Sequence, residues 1–586
     1  MSKHSRVRKI HRRNLGISDE LEQASLHPVL KRIYANRHIQ NLSQVDYSLA
    51  RLISFHDLKG IDAAANIVAD AIVSGQRILI VGDYDADGAT STALVVRALN
   101  SFAAENVSYL VPNRFEYGYG LTPEIVNVAS ELSPDVLITV DNGISSIDGV
   151  KAAKQQGIRV VITDHHLAGR QLPEADAIVN PNQPGCGFAS KSIAGVGVAF
   201  YLMLAVRASL RDRDWFNQQR PEPNMADLLD LVALGTVADV VPLDENNRIL
   251  VEQGIRRIRA GKTGAGIKAL FQAAGKDIKT CSSTDFGFFI GPRLNAAGRL
   301  EDMSAGVECL ITDSAAVAEN IATELNNLNN QRKRIEQDML SQALDDMNAI
   351  LATLEGSQLQ AGLCLYNSKW HQGVIGLLAS RIKERFHRPV IAFADASEDA
   401  GNDEIKGSAR SIQGLHIRDV LDTIATRHPG LIQKFGGHAM AAGLSISKDS
   451  FEAFKQAFEQ EVASLLSAEA LEEVVETDGS IEPDYMSLET AEIISSAGPW
   501  GQHFPEPVFD NRFQLLEWKI VGEKHLKMQL RHDEGGNAVN AIAFNTVADD
   551  LPSFEKIHVA YRLNVNEFRN TRSLQLIVDC MSAAES

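Results

Sequence analysis

The sequence predicts an α/β protein: a doubly wound parallel sheet domain, a smaller α/β domain joined to it by a long helix, and a C-terminal β-barrel. Three observations carry this. Short apolar runs alternate with helical patterns through the first third of the chain. One helical stretch runs from 315 to 350 without Gly or Pro. After residue 507 strand-like runs return with no helical pattern between them.

Apolar runs at 77–82, 107–111, 136–140, 158–163 and 177–180 are separated mostly by helical patterns, the signature of a parallel sheet buried on both faces. Helical segments dominate from Gly195 to about Gly275. In 315–350, Ile321, Leu325, Leu328, Ile335 and Met339 fall at heptad-like offsets, which predicts one helix spanning two lobes. A second α/β unit is expected to open with strands 361–366 and 389–394 around a helix at 374–386. The acidic segment 466–492 reads as a linker plus helix. Five runs beyond 507 predict a small barrel or sandwich.

At roughly 150 residues per domain, 586 residues make three or four domains with sizeable cores. No stretch approaches ~18 consecutive apolar residues, so no membrane span is expected. No apolar segment follows the basic N-terminus, which argues against a signal peptide. Five scattered cysteines without a CxxC fit a reduced, cytoplasmic protein with no structural zinc. The 57 Lys and Arg stand against 75 Asp and Glu, a net −18, but the charge is uneven. Residues 449–492 hold thirteen acids and one base, whereas 251–300 hold nine bases and three acids, and the first thirteen residues carry six bases. The local +6 is a candidate nucleic-acid surface; a solvated face is the plainer alternative.

The chemistry gathers at strand ends. The first strand runs into Asp83-Tyr84-Asp85-Ala86-Asp87-Gly88, where three alternate carboxylates crowd like charges that a cation would relieve. An EF-hand needs Glu at loop position 12, and here that position is Leu94. A solvated turn with a helix N-cap is the alternative. Two more strands end at Asp141-Asn142-Gly143 and Asp164-His165-His166. Ligands of open parallel sheets bind outside the carboxyl ends of strands, so the three turns should share one crevice. Carboxylates with imidazoles there suit Mg²⁺ or Mn²⁺. Asp239, in an apolar stretch, is a fourth candidate, with an N-cap as its bland alternative. With no GxSxG and no Cys in a charged motif, water activated by two metal ions and attacking phosphorus is the expected chemistry.

DYDADG, DNG, DHH and GTVADVVP together resemble the four motifs of the DHH phosphoesterase superfamily, and FGGHAMAAG (435–443) resembles the signature of its companion DHHA1 domain. WHQGVIGLLASRI (370–382), GSARS (407–411), GPRLNAAGR (291–299) and GPWGQHFPEPVF (498–509) are similar to the RecJ branch. The motifs keep their order from about residue 45 to the end.

The resemblance implies a 5′ to 3′ exonuclease on single-stranded DNA, acting in repair and recombination. By position, Asp85, Asp87, Asp141, His165 and Asp239 match metal ligands. His166 matches the residue beside the scissile phosphate, with Asp83 and Asp164 as supports. Many superfamily members carry a histidine four residues before Asp85; here it is Val81, so one ion site is expected to be weaker or completed by another ligand.

Ser408 and Arg410 read as a Gly/Ser-rich turn suited to a phosphate, and by resemblance they hold the 5′ end together with Arg114. Arg293, Asn295 and Arg299 would follow the DNA backbone. His438 would meet a terminal phosphate, although Gly436-Gly437 could mark only a tight turn. Phe115, Tyr117 and Tyr119 could stack on bases, although loop packing is commoner. The OB-like C-terminal domain would be a single-strand platform. Single-strand-binding protein and a DNA helicase are partners implied by the resemblance, and a monomer is expected. The expected division is a basic segment (1–45), a DHH catalytic domain (46–275), a connector with the long helix (276–350), a DHHA1 domain (351–465), and an acidic linker with the OB-like domain (466–586). Two rival readings are a phosphoesterase for small phosphate compounds and a non-catalytic DNA-binding scaffold.

Overall fold

The computed structural model describes residues 9–112, 120–353, 360–396, 403–437, 439–467, 469–522, 525–544, 555–568 and 571–584. Arg114, Phe115, Tyr117, Tyr119 and His438 lie outside the described residues.

After a short strand β1 (Lys9–Arg12), the chain builds a parallel sheet from β2 (Ile78–Val81), β3 (Val107–Leu110), β4 (Val136–Val140), β5 (Arg159–Thr163) and β6 (Ala177–Val179). The spatial order is β3-β2-β4-β5-β6. Alternate residues serve opposite faces. Ile78, Ile80, Ile138 and Val140 join the core formed with helices Ala86–Ser101 and Gly195–Asp212. Leu79, Val81, Leu137 and Ile162 pack with Ile125, Val126 and Val150 of helices Pro123–Glu131 and Ile147–Gln155. Burial on both faces is why these strands read as unbroken apolar runs. The chain steps from β2 to β3 on one side and returns to β4 on the other. The crevice between the carboxyl ends of β2 and β4 is therefore a topological switch point.

The helix Ala315–Thr353 has 39 residues, about 58 Å at 1.5 Å per residue. Leu325 and Leu328 join the core of the first lobe, and Met339 and Ala343 that of the second. The second sheet contains β7 (Leu363–Tyr366), β8 (Val390–Asp395), β9 (Glu404–Arg410), β10 (Lys434–Gly437) and β11 (Ala441–Ser447), in the order β10-β11-β9-β8-β7. GSARS is thus not a turn: residues 407–410 lie in β9, paired with β8 and β11. Gly436 and Gly437 likewise lie in a strand and pair with Gly443 and Ala442.

The acidic segment is not only linker and helix, because β12 (Val474–Thr477) pairs in parallel with β1. Lys9 meets Glu472 at 2.5 Å, Arg13 meets Glu476 at 2.7 Å, and Arg12 meets Asp510 at 2.7 Å. Part of the basic N-terminus thereby neutralises part of the acidic stretch. Strands β13 (Phe509–Val521), β14 (His525–His532), β15 (Val539–Ala543), β16 (Lys556–Phe568) and β17 (Thr571–Ala583) close a barrel in the order β13-β14-β15-β17-β16. The segment before it docks on the first lobe: Trp500 and Phe504 stack at 5.2 Å, Arg248 lies 4.4 Å over Phe504, and Ser283 Oγ donates to Trp500 O at 2.6 Å.

Candidate metal centre

Asp85 caps the helix that follows β2: its Oδ1 accepts from Asp87 N at 2.9 Å and Gly88 N at 3.0 Å. The N-cap alternative is therefore correct for one oxygen of one residue. Glycine is required at 88, where a Cβ would lie 2.4 Å from Asp83 O. Asp87 is buried, and its carboxylate accepts from Gly195 N at 2.7 Å and Val196 N at 2.9 Å, at the start of a helix. The partial positive charge of that terminus suits an anion. The same glycine makes room, since a Cβ on Gly195 would stand 2.5 Å from Asp141 Oδ1.

Asp141 follows β4 with φ 62°, a left-handed conformation that a non-glycine residue rarely adopts. His165, after β5, brings Nε2 to 3.1 Å from Asp141 Oδ1, 3.5 Å from Asp239 Oδ2 and 4.0 Å from Asp87 Oδ2. Asp239 stands at the C-terminal end of helix Leu229–Ala238, which excludes the N-cap alternative. Its Oδ2 is buried and accepts no hydrogen bond.

Asp164, expected as a support, bonds to both histidines. Its Oδ1 accepts from His165 N at 2.7 Å and His166 N at 3.0 Å and lies 2.7 Å from His166 Nδ1, while Oδ2 accepts from Ile144 N at 2.9 Å. Burial alone would raise the Asp164 carboxyl, but the hydrogen bond and charge of His166 hold it below the ordinary range. Burial likewise opposes the charge on His166, yet Asp164, Asp83 and Asp85 push it up to about 9.

Three sets result: Asp141, His165 and His166; Asp87, His165 and Asp239; Asp83, Asp85 and Asp141. Within each, the ligand atoms lie within 4.8 Å of one another. All five expected ligands are present, and Asp83 and His166 offer atoms as well. Burial first, then the charge of Asp85, lifts Asp87 to about 7; Asp141 and Asp239 are raised well above the carboxylate range by burial and neighbouring acids. An oxygen-rich donor set with imidazole, and a buried carboxylate oxygen left without a donor, fits Mg²⁺ or Mn²⁺.

Asn180 and Asn182 carried no motif signal of their own, and Asn142 lies in the DNG motif without a role read from it. Asn182 Nδ2 donates to His165 O at 2.6 Å, and Asn180 Nδ2 to His166 O at 3.0 Å. Asn142 Nδ2 bridges Val81 O at 3.1 Å and Val140 O at 2.9 Å. Gly195 could have been suspected only as the start of a helix.

The substrate candidates divide. Asn295 Oδ1 accepts from Ala86 N at 2.8 Å, so helix Gly291–Leu300 is fastened to the acidic loop. Arg293 is buried and donates to Phe289 O at 2.6 Å and Asn326 Oδ1 at 3.2 Å, toward the long helix. Arg299 reaches the second lobe, donating to Gly373 O at 3.2 Å. The +6 stretch is partly spent: Arg256 pairs with Glu252, Arg257 with Asp227, and Lys276 with Asp285. Arg410 donates to Ala409 O at 2.8 Å and Ser408 Oγ at 3.2 Å, and burial lowers its pKa. Among the described residues no carboxylate pairs with it. A Cβ on Gly376, at the start of helix Ile375–Phe386, would lie 2.8 Å from Arg410 Nη2.

Comparison with known proteins agrees with this geometry. The DHH family, N-terminal domain, matches residues 77–236, the DHHA1 domain 357–464, and the RecJ OB domain 477–579. The single-stranded-DNA-specific exonuclease RecJ of Escherichia coli (strain K12) is 52% identical over 561 residues, covering 95% of this chain and 96% of that protein. RecJ of Thermus thermophilus in complex with Mn²⁺ superposes with TM-score 0.80 at 28% identity, covering 99% of this chain and 80% of that one. Its complex with Mg²⁺ gives TM-score 0.74 at 27% identity, covering 99% and 79%. Motif order, the three-part architecture and near full-length identity agree, and the chain belongs to the RecJ family of single-stranded-DNA-specific exonucleases.

Proposed function

We propose that this chain, a metal-dependent single-stranded-DNA-specific exonuclease by family, removes nucleotides from the 5′ end of the strand. The observation that carries the reading is the buried cluster of acids and imidazoles at the carboxyl ends of three adjacent strands.

Asp85, Asp87, Asp141, His165 and Asp239 would hold the cations. Asp83, grouped with Asp85 and Asp141, would complete the site that Val81 cannot serve. Divalent cations bound there supply water activation and neutralise charge at phosphorus. The protein's own part is positional. Asp164 fixes one ring nitrogen of His166 and favours its charged form, leaving the other to donate to a phosphate oxygen. Asn295 holds the acidic loop from the side of the long helix.

In the second lobe, Ser408 and Arg410 would take the terminal phosphate, with Arg114 and His438 joining them by family resemblance. A partly buried guanidinium without an acidic partner among the described residues, at the start of a helix, supports this role. Arg299 joins the two lobes beside the cluster, and Arg293 fastens the same helix to the long helix. The domain division expected above, action in the cytoplasm in DNA repair and recombination, and partnership with single-strand-binding protein and a helicase belong to the same reading. Among the described residues no helix is long and apolar enough to cross a membrane.

End-labelled single-stranded DNA, duplex DNA and RNA should be digested with Mg²⁺ or Mn²⁺. Release of nucleotides from 5′-labelled single strands, abolished by chelation, is expected. Equal attack on blunt duplex, or full activity after chelation, would overturn the reading.

A further inference from the structure

Three large apolar side chains are exposed on segments tied to the metal centre: Leu167 (57% exposed) follows His166, Val240 (64%) follows Asp239, and Phe288 (74%) lies on a turn that packs against the end of the Asp239 helix. That turn, Phe286–Ile290, is π-helical. Such turns are rare and concentrate at functional sites. Its other residues are anchored. Phe286 and Ile290 are fully buried, Phe289 receives Lys276 Nζ at 3.9 Å over its ring, and a Cβ on Gly287 would lie 3.8 Å from Val237 Cγ1. At the next residue, a Cβ on Gly291 would lie 3.1 Å from Ala238 Cβ, one residue before Asp239. Phe288 alone is turned out of this packing. Val240 has φ 62°, a costly conformation for a β-branched residue, and its side chain too faces solvent.

We propose that Phe288 is a base-stacking residue, taking the face of an unpaired nucleobase next to the scissile phosphate, with Val240 and Leu167 as the apolar rim of the same site. The proposal rests on the nuclease reading above. The turn that carries the ring packs on Val237 and Ala238, the two residues before Asp239, and its Phe289 O accepts from Arg293, a cation with Lys333 beside it. Base faces are free in a single strand and covered in a duplex, so a stacking ring here favours single-stranded substrate. A protein partner is the competing occupant.

The test compares wild type, Phe288→Ala and Phe288→Trp on two 5′-phosphorylated single strands. One carries normal bases; the other carries abasic residues at its 5′ end. Melting temperature and Mn²⁺ affinity are measured on each protein. On normal bases Phe288→Ala is expected to raise KM roughly 5- to 150-fold, the range for loss of one stacked base, with kcat, melting and Mn²⁺ affinity unchanged. On abasic ends wild type and Phe288→Ala should coincide, and Phe288→Trp should restore the normal-base KM. An unchanged KM in Phe288→Ala, or an equal loss on both strands, would overturn the proposal while leaving the nuclease reading intact. Wild type inactive on both strands would overturn the nuclease reading and this proposal with it.

Discussion

Arg37 and Asp478 form a buried pair that fastens the beginning of the chain to the segment entering the C-terminal barrel. Arg37 Nη1 donates to Asp478 Oδ1 at 2.9 Å and Nη2 to Oδ2 at 3.1 Å, with both side chains at most 1% exposed. Asn36 adds a 3.0 Å bond to the same carboxylate, Pro505 O takes further bonds from Arg37, and the guanidinium lies 5.1 Å over Trp500. Burial lowers the Arg37 pKa and the charge of Asp478 opposes that.

Breaking one half of such a pair leaves an uncompensated buried charge. Arg37→Ala is expected to cost about 3–5 kcal/mol, read as a lowered urea midpoint for the C-terminal domain. The apolar double variant Arg37→Met with Asp478→Leu should recover most of it. A loss below 1 kcal/mol for Arg37→Ala would show that the pair does not hold the two segments together.

Asp510 gives a pH dependence. Burial would raise its carboxyl, but hydrogen bonds from His558 Nε2 at 2.8 Å, Arg12 Nη2 at 2.7 Å and Thr477 Oγ1 at 2.5 Å hold it far below the ordinary range. A depressed folded pKa means that the unfolded chain takes up its proton first as pH falls. The contribution is therefore complete above the unfolded value of about 3.9 and is lost progressively below it. The melting difference between wild type and Asp510→Asn should be constant from neutrality down to that value and shrink in more acid solution. A gap that widened with acid would contradict the assignment.

At the metal centre the sign reverses. Asp87, Asp141 and Asp239 have raised pKa values, Asp87 about 7, so the metal-free centre holds protons that the unfolded chain would release. Their contribution to metal-free stability falls as pH rises from the ordinary carboxylate range toward about 7. A cation must displace those protons. Mn²⁺ affinity should rise with pH over this range, and calorimetry in buffers of different ionisation enthalpy should show proton release. Asp141→Ala should abolish both binding and nucleotide release. Binding without proton release would show that the acids are already ionised.

Asp164 tests the support of the histidines. Asp164→Asn keeps the shape but weakens the hold on His166 Nδ1 and removes the charge that raises its pKa. Activity is expected to fall about 10–100-fold, the usual effect of losing such a support, and the acidic and basic limits of the pH–rate profile should move. A uniform loss with an unmoved profile would make Asp164 only a structural brace.

Much of this was legible in the residues because parallel strands buried on both faces are apolar from end to end. Their five runs fall within a residue or so of the observed strands, and the motif turns between them had to meet at one sheet end. Strands β9 to β11 escaped because they hold Gly, Ser, Lys and Arg in place of β-branched residues. In EIKGSAR only Ile405, Gly407 and Ala409 face the core, and two of these have almost no side chain. Strand β12 escaped because its partner, β1, lies more than 460 residues away, and no local pattern announces such a pair. The roles of Asn180, Asn182 and Gly195 depend on contacts from separate elements, which spacing alone does not reveal.

Arg410 carries the last prediction, the choice of strand end. Strand alternation puts Lys406, Ser408 and Arg410 on the face of β9 opposite the core residues Ile405 and Ala409. The first turn of helix Ile375–Phe386 crowds that face, so the guanidinium is partly buried yet has only a serine and its neighbour's carbonyl as described partners. A partly buried cation in this state gains most from an anion that brings several acceptors, as a terminal phosphate does. Arg410→Ala should lower kcat/KM on 5′-phosphorylated strands roughly 10- to 150-fold, the worth of a charged hydrogen bond, and leave 5′-hydroxyl strands unaffected. Arg410→Lys, with its charge but not its planar fork, should fall between. An equal loss on both kinds of end would place Arg410 along the path of the strand and not at its terminus.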